Sequence, residues 1–391
     1  MLLSFFLGLF LAQAFLSFAD KSLVLFFNQH ELSAICEFTL LLTLISALVI
    51  YCLMGLTTSI PKRFFLPVTL FNPIAGLLLI FLAIYFYRRI ELVRWLVALS
   101  GVLVGLAILC VLQGRVRLFQ WPLVRQEDVP AGRFSWLNLS LFLLVNGLIL
   151  LPGTLLYLVV CGGLALNHFT EGFVTLRPGG LTVQARNYVR DDGRRVQLFP
   201  MAHIGDADFY QRVSESFPSN SVVLAEGVSD NQNLLTNRLT YRRAAKSLGL
   251  TEQQKEFRPV RSKLVRADVD VSEFHTNTIS FLNLMTTVYS KGITLDFIAT
   301  LMNYAPPPGF EQELWDDILT KRNQHLLEVI QSRLTRSDMI VVPWGAAHMP
   351  GLEQQIKSMG FHQEGARDYV VIRFGPHRSG KPNSARSEQP E

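Results

Sequence analysis

Cysteine is absent from this chain after residue 161. All four cysteines, Cys36, Cys52, Cys110 and Cys161, lie in apolar stretches of the first 165 positions. The C-terminal part therefore has no disulfide framework, no thiolate zinc site and no cysteine nucleophile. Charge is scarce elsewhere. The long hydrophobic segments of the N-terminal part hold one acidic residue, Glu37, near an end. Intramembrane charges mark transport pathways, so their scarcity argues for an anchor or scaffold rather than a transporter. A charge excess is also missing from the C-terminal part. Residues 166–391 carry 26 Lys and Arg against 25 Asp and Glu, which argues against nucleic acid as a partner. The excess of basic residues lies mainly in residues 1–165, with 10 against 6.

Four segments approach or exceed the ~20 apolar residues that a spanning helix needs: about 36–57, 65–87, 94–113 and 137–165. A fifth, 2–19, lacks the basic residues that open a signal peptide and reads as a first transmembrane or interfacial helix. Residues 1–165 are thus a multi-pass α-helical membrane region of four to five helices, and the bilayer is their partner. Pro152 and Gly153 predict a kink or an interfacial extension in the last segment. The loops at 58–64 and 114–136 hold six Lys and Arg, whereas the opposite side has Arg88, Arg89 and Arg94, with Arg177 nearby. Counting positive charge places the six-charge side in the cytoplasm and the C-terminal domain outside it, an arrangement read as that of a bacterial inner-membrane protein.

From about 170 the composition becomes that of a globular domain, expected to reach 375. LTVQARNYV, the turn residues Asp191-Asp192-Gly193 and RRVQLFP predict a β-hairpin. Asp206 is placed to cap a helix whose Phe209, Val213 and Phe217 share one face. SVVLAEG (221–227) and MIVVPW (339–344) read as buried strands, with a last strand at 368–374. Residues 230–305 read as mostly helical, with polar loops around 251–263. Pro306, Pro307, Pro308 and Gly309 precede a long helix at 311–334, and a helix begun by Pro350 ends near Gly360. The polar tail 376–391 is expected to be disordered.

Two stretches repeat one pattern. LFPMAHIGDADFYQRV (198–213) and VVPWGAAHMPGLEQQI (341–356) each run from an apolar strand through Ala-His to the opening of an amphipathic helix. His203, Glu226 and His348 thereby fall just past the ends of three strands, the edge where open α/β sheets bind ligands. Two histidines and a glutamate can hold a divalent metal and activate its water, or do acid/base work without one. The long helix adds an anomaly: Arg322 interrupts the apolar stripe Trp315, Ile318, Leu319, Leu326, Val329 and Ile330. A charge there needs a partner or must snorkel to the surface, and its neighbour Asn323 is polar as well. Asp268, Asp270 and His275 are outer candidates.

Residues 182–374 resemble the TraB/PrgY/GumN family, which includes the TIKI proteases and is related to the ChaN and erythromycin-esterase group. The resemblance rests on Gly345-Ala346-Ala347-His348 followed by Met349-Pro350-Gly351, on Glu226 in LAEGV, and on the pair Arg322-Asn323. The first motif, Pro200-Met201-Ala202-His203, has proline where the family pattern has glycine. Proline fixes φ and supplies no N–H. The resemblance implies an α/β domain with a central mixed sheet of the TIKI/ChaN kind. It also implies a metal-dependent hydrolase acting on peptides or proteins, with manganese, cobalt or zinc held by His203, Glu226 and His348. Glu226 is alternatively the base, and Arg322 orients it or stabilises developing charge. Other family members resemble regulators that sequester peptide signals, which leaves a non-catalytic binding protein as the second reading.

Overall fold

In a computed structural model, the described residues are 1–113, 119–125, 127, 129, 131–236, 241–259, 261–291, 306, 307 and 309–375. The expected disordered tail, Arg115, Arg117, Pro308 and the stretch 292–305 lie outside them. The chain divides into two compact units, Met1–Ala165 and Leu166–Glu391.

The first unit is helical, and four of its helical stretches are long and apolar enough to cross a membrane: Leu2–Phe27, Ser33–Leu56, Lys62–Gln113 and Trp136–Phe169. The third consists of two helices joined by a 3-10 turn at Tyr87–Arg89. We number these helices α1 (Leu2–Phe27), α2 (Ser33–Leu56), α3 (Lys62–Phe86) and α4 (Ile90–Gln113). The last stretch comprises α5 (Trp136–Val145), a π turn over Asn146–Leu150, and α6 (Leu151–Phe169). The π turn ends two residues before Pro152, whose missing N–H disturbs the helical ladder there.

The first helix runs further than residue 19. It passes through Asp20 and Lys21 and stops at Asn28, which takes the left-handed conformation (φ 54). Asp20 is fully buried, so Glu37 is not the only acidic residue among the spans. Its carboxylate accepts hydrogen bonds from Lys21 Nζ (2.7 Å) and Ser33 Oγ (2.8 Å), which compensate the buried charge. Polar contacts also tie the helices together: Asn138 Nδ2 donates to the carbonyls of Met54 and Gly55, and Tyr157 OH to that of Leu77.

The second unit is built on a seven-stranded mixed sheet. Its strands are β1 (Val174–Arg177), β2 (Gly180–Val189), β3 (Arg195–Met201), β5 (Val222–Ala225), β7 (Lys263–Arg266), β8 (Met339–Gly345) and β9 (His362–Arg373). The short strands β4 (Ile204–Gly205) and β6 (Thr251–Glu252) pair separately. β2 and β3 form the expected hairpin around Asp191-Asp192-Gly193, with Gly193 at φ 83. β9 runs antiparallel along the whole of β2 and begins six residues earlier than the sequence pattern suggests. The next four strands, in the order β3-β8-β5-β7, are parallel.

The central parallel strands β8 and β5 are covered on both faces, which explains their unbroken apolar character, whereas β7 lies at the edge of the sheet. Along β8, Ile340, Val342 and Trp344 enter one core with Leu326, Ile330, Leu352 and Ile356. Val341 points the other way, into a core with Phe199, Phe209, Val213 and Phe217. Phe209 and Val213 lie on helix α7 (Ala207–Ser216), one face of which is buried. Asp206 stands at the N-cap position but makes no side-chain cap bond; its Oδ2 accepts the N–H of Arg373 instead.

Two expectations change in the helical parts. Among the described residues of 230–291 α-helix is not the majority: they form β6, β7, two short helices (Arg242–Ser247 and Gln253–Glu256) and one longer helix, α8 (Thr276–Lys291). The long helix is interrupted: α9 (Phe310–Trp315), a π turn over Asp316–Thr320, then α10 (Lys321–Leu334). The π turn accommodates an extra residue and rotates the following side chains around the axis. Trp315, assigned to the apolar stripe, is consequently 51% exposed, and Asp317 is fully buried. The last helix, α11 (Met349–Ser358), starts with Pro350 near its N-terminus, and Gly360 beyond it takes φ 86.

Candidate active site

The parallel strands end on one edge, and four chemically capable side chains lie just past those ends: His203 after β3, His348 after β8, Glu226 after β5 and Asp268 after β7. Arg322, from the first turn of α10, joins three of them. Its Nε donates to Asp268 Oδ1 (2.9 Å) and its Nη2 to Asp268 Oδ2 (2.7 Å), a bidentate pair. The same Nη2 donates to Glu226 Oε1 (2.9 Å), and Nη1 donates to His348 Nε2 (3.2 Å) and the carbonyl of Ile318 (3.3 Å). All five N–H groups of the guanidinium are used. The group lies 5.3 Å from the centroid of the Trp344 ring, and Trp344 is fixed by its own Nε1–H to the carbonyl of Leu224 (3.0 Å).

The other members are equally tied. Glu226 Oε2 accepts the N–H of Gly345 at 2.6 Å, so each carboxylate oxygen has one donor and retains lone-pair capacity. Asp268 also accepts the N–H groups of Gly227 (2.8 Å) and Val269 (3.0 Å). His348 is buried, edge-on to Trp344 (centroids 5.1 Å apart). Its Nδ1 lies 2.7 Å from Asn323 Oδ1. Asn323 Oδ1 can only accept and Arg322 can only donate, so His348 carries its proton on Nδ1 and is neutral. Burial, with Arg322 beside the ring, brings its pKa down to about 4. Burial also disfavours the charged form of Arg322, but Asp268 and Glu226 outweigh it and hold the guanidinium pKa above its usual value.

His203 is separate. It is exposed, shares no side-chain hydrogen bond or ion pair with the Arg322 network among the described residues, and stacks on Tyr241 with ring centroids 5.0 Å apart and planes at 7°. Its charge still acts to lower the pKa of His348, which places it in the same neighbourhood. The two Ala-His motifs are not in register. Met201 pairs with Gly345 and Pro200 with Trp344, so the histidines leave the sheet at different heights. Pro200 costs the β2–β3 ladder nothing, because β2 pairs with β3 only as far as Leu198.

Of the outer candidates, only Asp268 belongs to this cluster. Asp270 caps the turn Val271–Glu273. Hydrogen bonds from Ser272, Ser229 and Asn231 hold its pKa well below the usual carboxylate range. His275 Nδ1 lies 3.0 Å from Asp317 Oδ1, beside α10. His275, Asp316 and Asp317 are the one group of three potential metal ligands found close together among the described residues. The ammonium of Lys321, 2.7 Å from Asp317 Oδ1, already supplies a cation there.

A divalent ion held by His203, Glu226 and His348 does not fit this arrangement. The lone pair of His348 Nε2 and one of Glu226 Oε1 receive hydrogens from Arg322, which puts a permanent cation where the metal's charge would lie. His203 meanwhile does not join the other two within ligating reach. What remains open to a substrate is the carboxylate of Glu226 and the ring of His203. In comparisons with known proteins, no family model, curated sequence or solved structure matches this chain.

Proposed function

We propose that the second unit is a membrane-anchored hydrolase of the TraB/TIKI kind acting on peptides or proteins, and that its water-activating group is Glu226 rather than a metal. The observation behind this reading is the way Glu226 is held. It stands at the strand edge where α/β sheets bind ligands, one oxygen fixed by a backbone N–H and the other by Arg322, with lone pairs left to accept a proton from water. In this reading Glu226 takes a proton from water as the oxygen attacks a carbonyl carbon, and His203 delivers a proton to the departing amine. Arg322, whose donors are all engaged, is a positioning residue for Glu226, and Asp268 and His348 position Arg322. The domain lies outside the cytoplasm in this proposal, following the distribution of basic loops.

The closed hydrogen bonding of Arg322 and His348 also suits the second reading, a regulator that binds a peptide without cleaving it. Incubation of the full-length protein in detergent with a mixed peptide library in oxygen-18 water separates the two. Hydrolysis creates new amine termini and carboxylates carrying one heavy oxygen. Binding without new termini supports the regulator.

A further inference from the structure

The membrane unit contains a cavity of about 580 Å³ among α1, α2, α3 and α4. Most of its wall is aliphatic, but five polar side chains also line it: Gln13, Ser17, Lys21, Asn72 and Arg94. Gln13 is only 5% exposed, yet neither it nor Asn72 makes a side-chain hydrogen bond among the described residues. The contrast with Gln113, the other buried glutamine among the described residues of this unit, is clear. Its Nε2 donates to the carbonyls of Gln120 (2.5 Å) and Leu123 (3.3 Å), and its Oε1 accepts the N–H of Gln120. An unsatisfied amide in an apolar setting costs about 1–3 kcal/mol, so two aimed into one cavity point to a polar ligand group there.

The cations narrow the ligand. Lys21 is six residues from the end of α1 and Arg94 four from the start of α4, so both are near helix ends. Each has one carboxylate partner, Asp20 (2.7 Å) and Glu91 (2.8 Å), but neither carboxylate lines the cavity, and both cations keep further donors. Gln13 lies eight residues deeper than Lys21 along α1, about 12 Å at the helical rise. The order from helix end to interior is therefore cation, amide, hydrocarbon. A phospholipid presents the same order: phosphate, ester carbonyls, acyl chain. We infer that this cavity binds an anionic phospholipid, its phosphate at Lys21 and Arg94, its ester carbonyls at Gln13 and Asn72, and a chain along the aliphatic wall.

The test uses the full-length protein in phosphatidylcholine bilayers containing a trace of spin-labelled phosphatidylglycerol or spin-labelled phosphatidylcholine. The expected result is about a fivefold preference of the protein-restricted population for the anionic probe. Arg94→Gln, at a side chain 49% exposed, should bring the preference to within about twofold, the remainder resting on Lys21. Gly76→Phe should do the same by filling the cavity, since a Cβ at Gly76 meets nothing within 4 Å. Arg63→Gln, at the start of α3, should retain the preference. The inference is overturned if the wild type does not discriminate between the probes, if either cavity variant keeps the full wild-type preference, or if Arg63→Gln lowers it as much as Arg94→Gln does.

Discussion

Arg322 and Asp268 form a two-point contact, Nε to Oδ1 at 2.9 Å and Nη2 to Oδ2 at 2.7 Å, between the first turn of α10 and the end of β7. The Asp268 side chain is fully buried and that of Arg322 is 13% exposed, so neither charge can be hydrated if the other is removed. Through this pair the guanidinium is aimed at Glu226 and His348, and the proposed chemistry depends on that aim.

Removing one partner of this pair should therefore be expensive. Asp268→Ala is expected to lower the stability of the second unit by about 3 kcal/mol, the range for an orphaned buried charge. Arg322→Ala should be comparable. Arg333→Ala and Arg336→Ala, nearer the end of α10, should stay within about 0.5 kcal/mol. Urea denaturation of the full-length variants measures this. Equal, small effects for all four would mean that Arg322 is a solvated surface residue.

His348 should make stability pH-dependent with a definite sign. Its folded pKa is about 4 and its unfolded pKa about 6.5. Between those values the unfolded chain holds a proton that the folded one lacks, so stability rises with pH through the window. The contribution, roughly 3 kcal/mol at most, is present above pH 6.5 and is lost as pH falls toward 4. Stability curves at pH 7.5 and 4.5 should differ less in His348→Gln than in the wild type. An unchanged difference would show that other groups carry the acid sensitivity.

If Arg322 supplies the positive charge of the site, a metal is not needed there. Chelation by EDTA should leave both the thermal transition and any peptide hydrolysis unchanged, and the purified protein should hold well under one equivalent of manganese, cobalt or zinc. Activity lost on chelation and restored by one of those ions would return His203, Glu226 and His348 to the role of ligands, with Arg322 displaced from Nε2.

The domain is expected outside the cytoplasm, because six Lys and Arg flank one side of the spans against about four on the other. A reporter active only in the periplasm, fused after Phe374, should be active, and a cytoplasm-only reporter should be silent. The reverse pattern would turn the domain inward and make cytosolic peptides its substrates.

What could be read directly from the chain followed from strong local patterns. Glu226 and His348 end long apolar runs, and Arg322 interrupts one, so their neighbourhood was legible. Asp268 stood out less because β7 is only Lys-Leu-Val-Arg, with three of its four residues exposed, too short and polar to read as a strand. The π turn at Asp316–Thr320 leaves no periodic signature, so the apolar pattern puts Trp315 inside and gives no sign that Asp317 is buried. The separation of His203 from His348 is a matter of register. The identical Ala-His steps look equivalent in sequence, yet β3 and β8 pair Met201 with Gly345, and that offset exists only once the strands are side by side.

The most direct test of the account is the hydrolysis rate of a defined peptide substrate, taken from the library experiment, with wild type and Glu226→Gln compared as full-length protein in the presence of EDTA. Glutamine keeps the shape and one of the two acceptor oxygens, so it holds either the Gly345 N–H or Arg322 while its NH2 faces the other donor, and it cannot take a proton from water. The account predicts chelator-resistant cleavage by the wild type and a fall of about 100-fold or more in the variant, the scale of a lost general base, with its stability reduced only modestly. Cleavage by Glu226→Gln at the wild-type rate would contradict it.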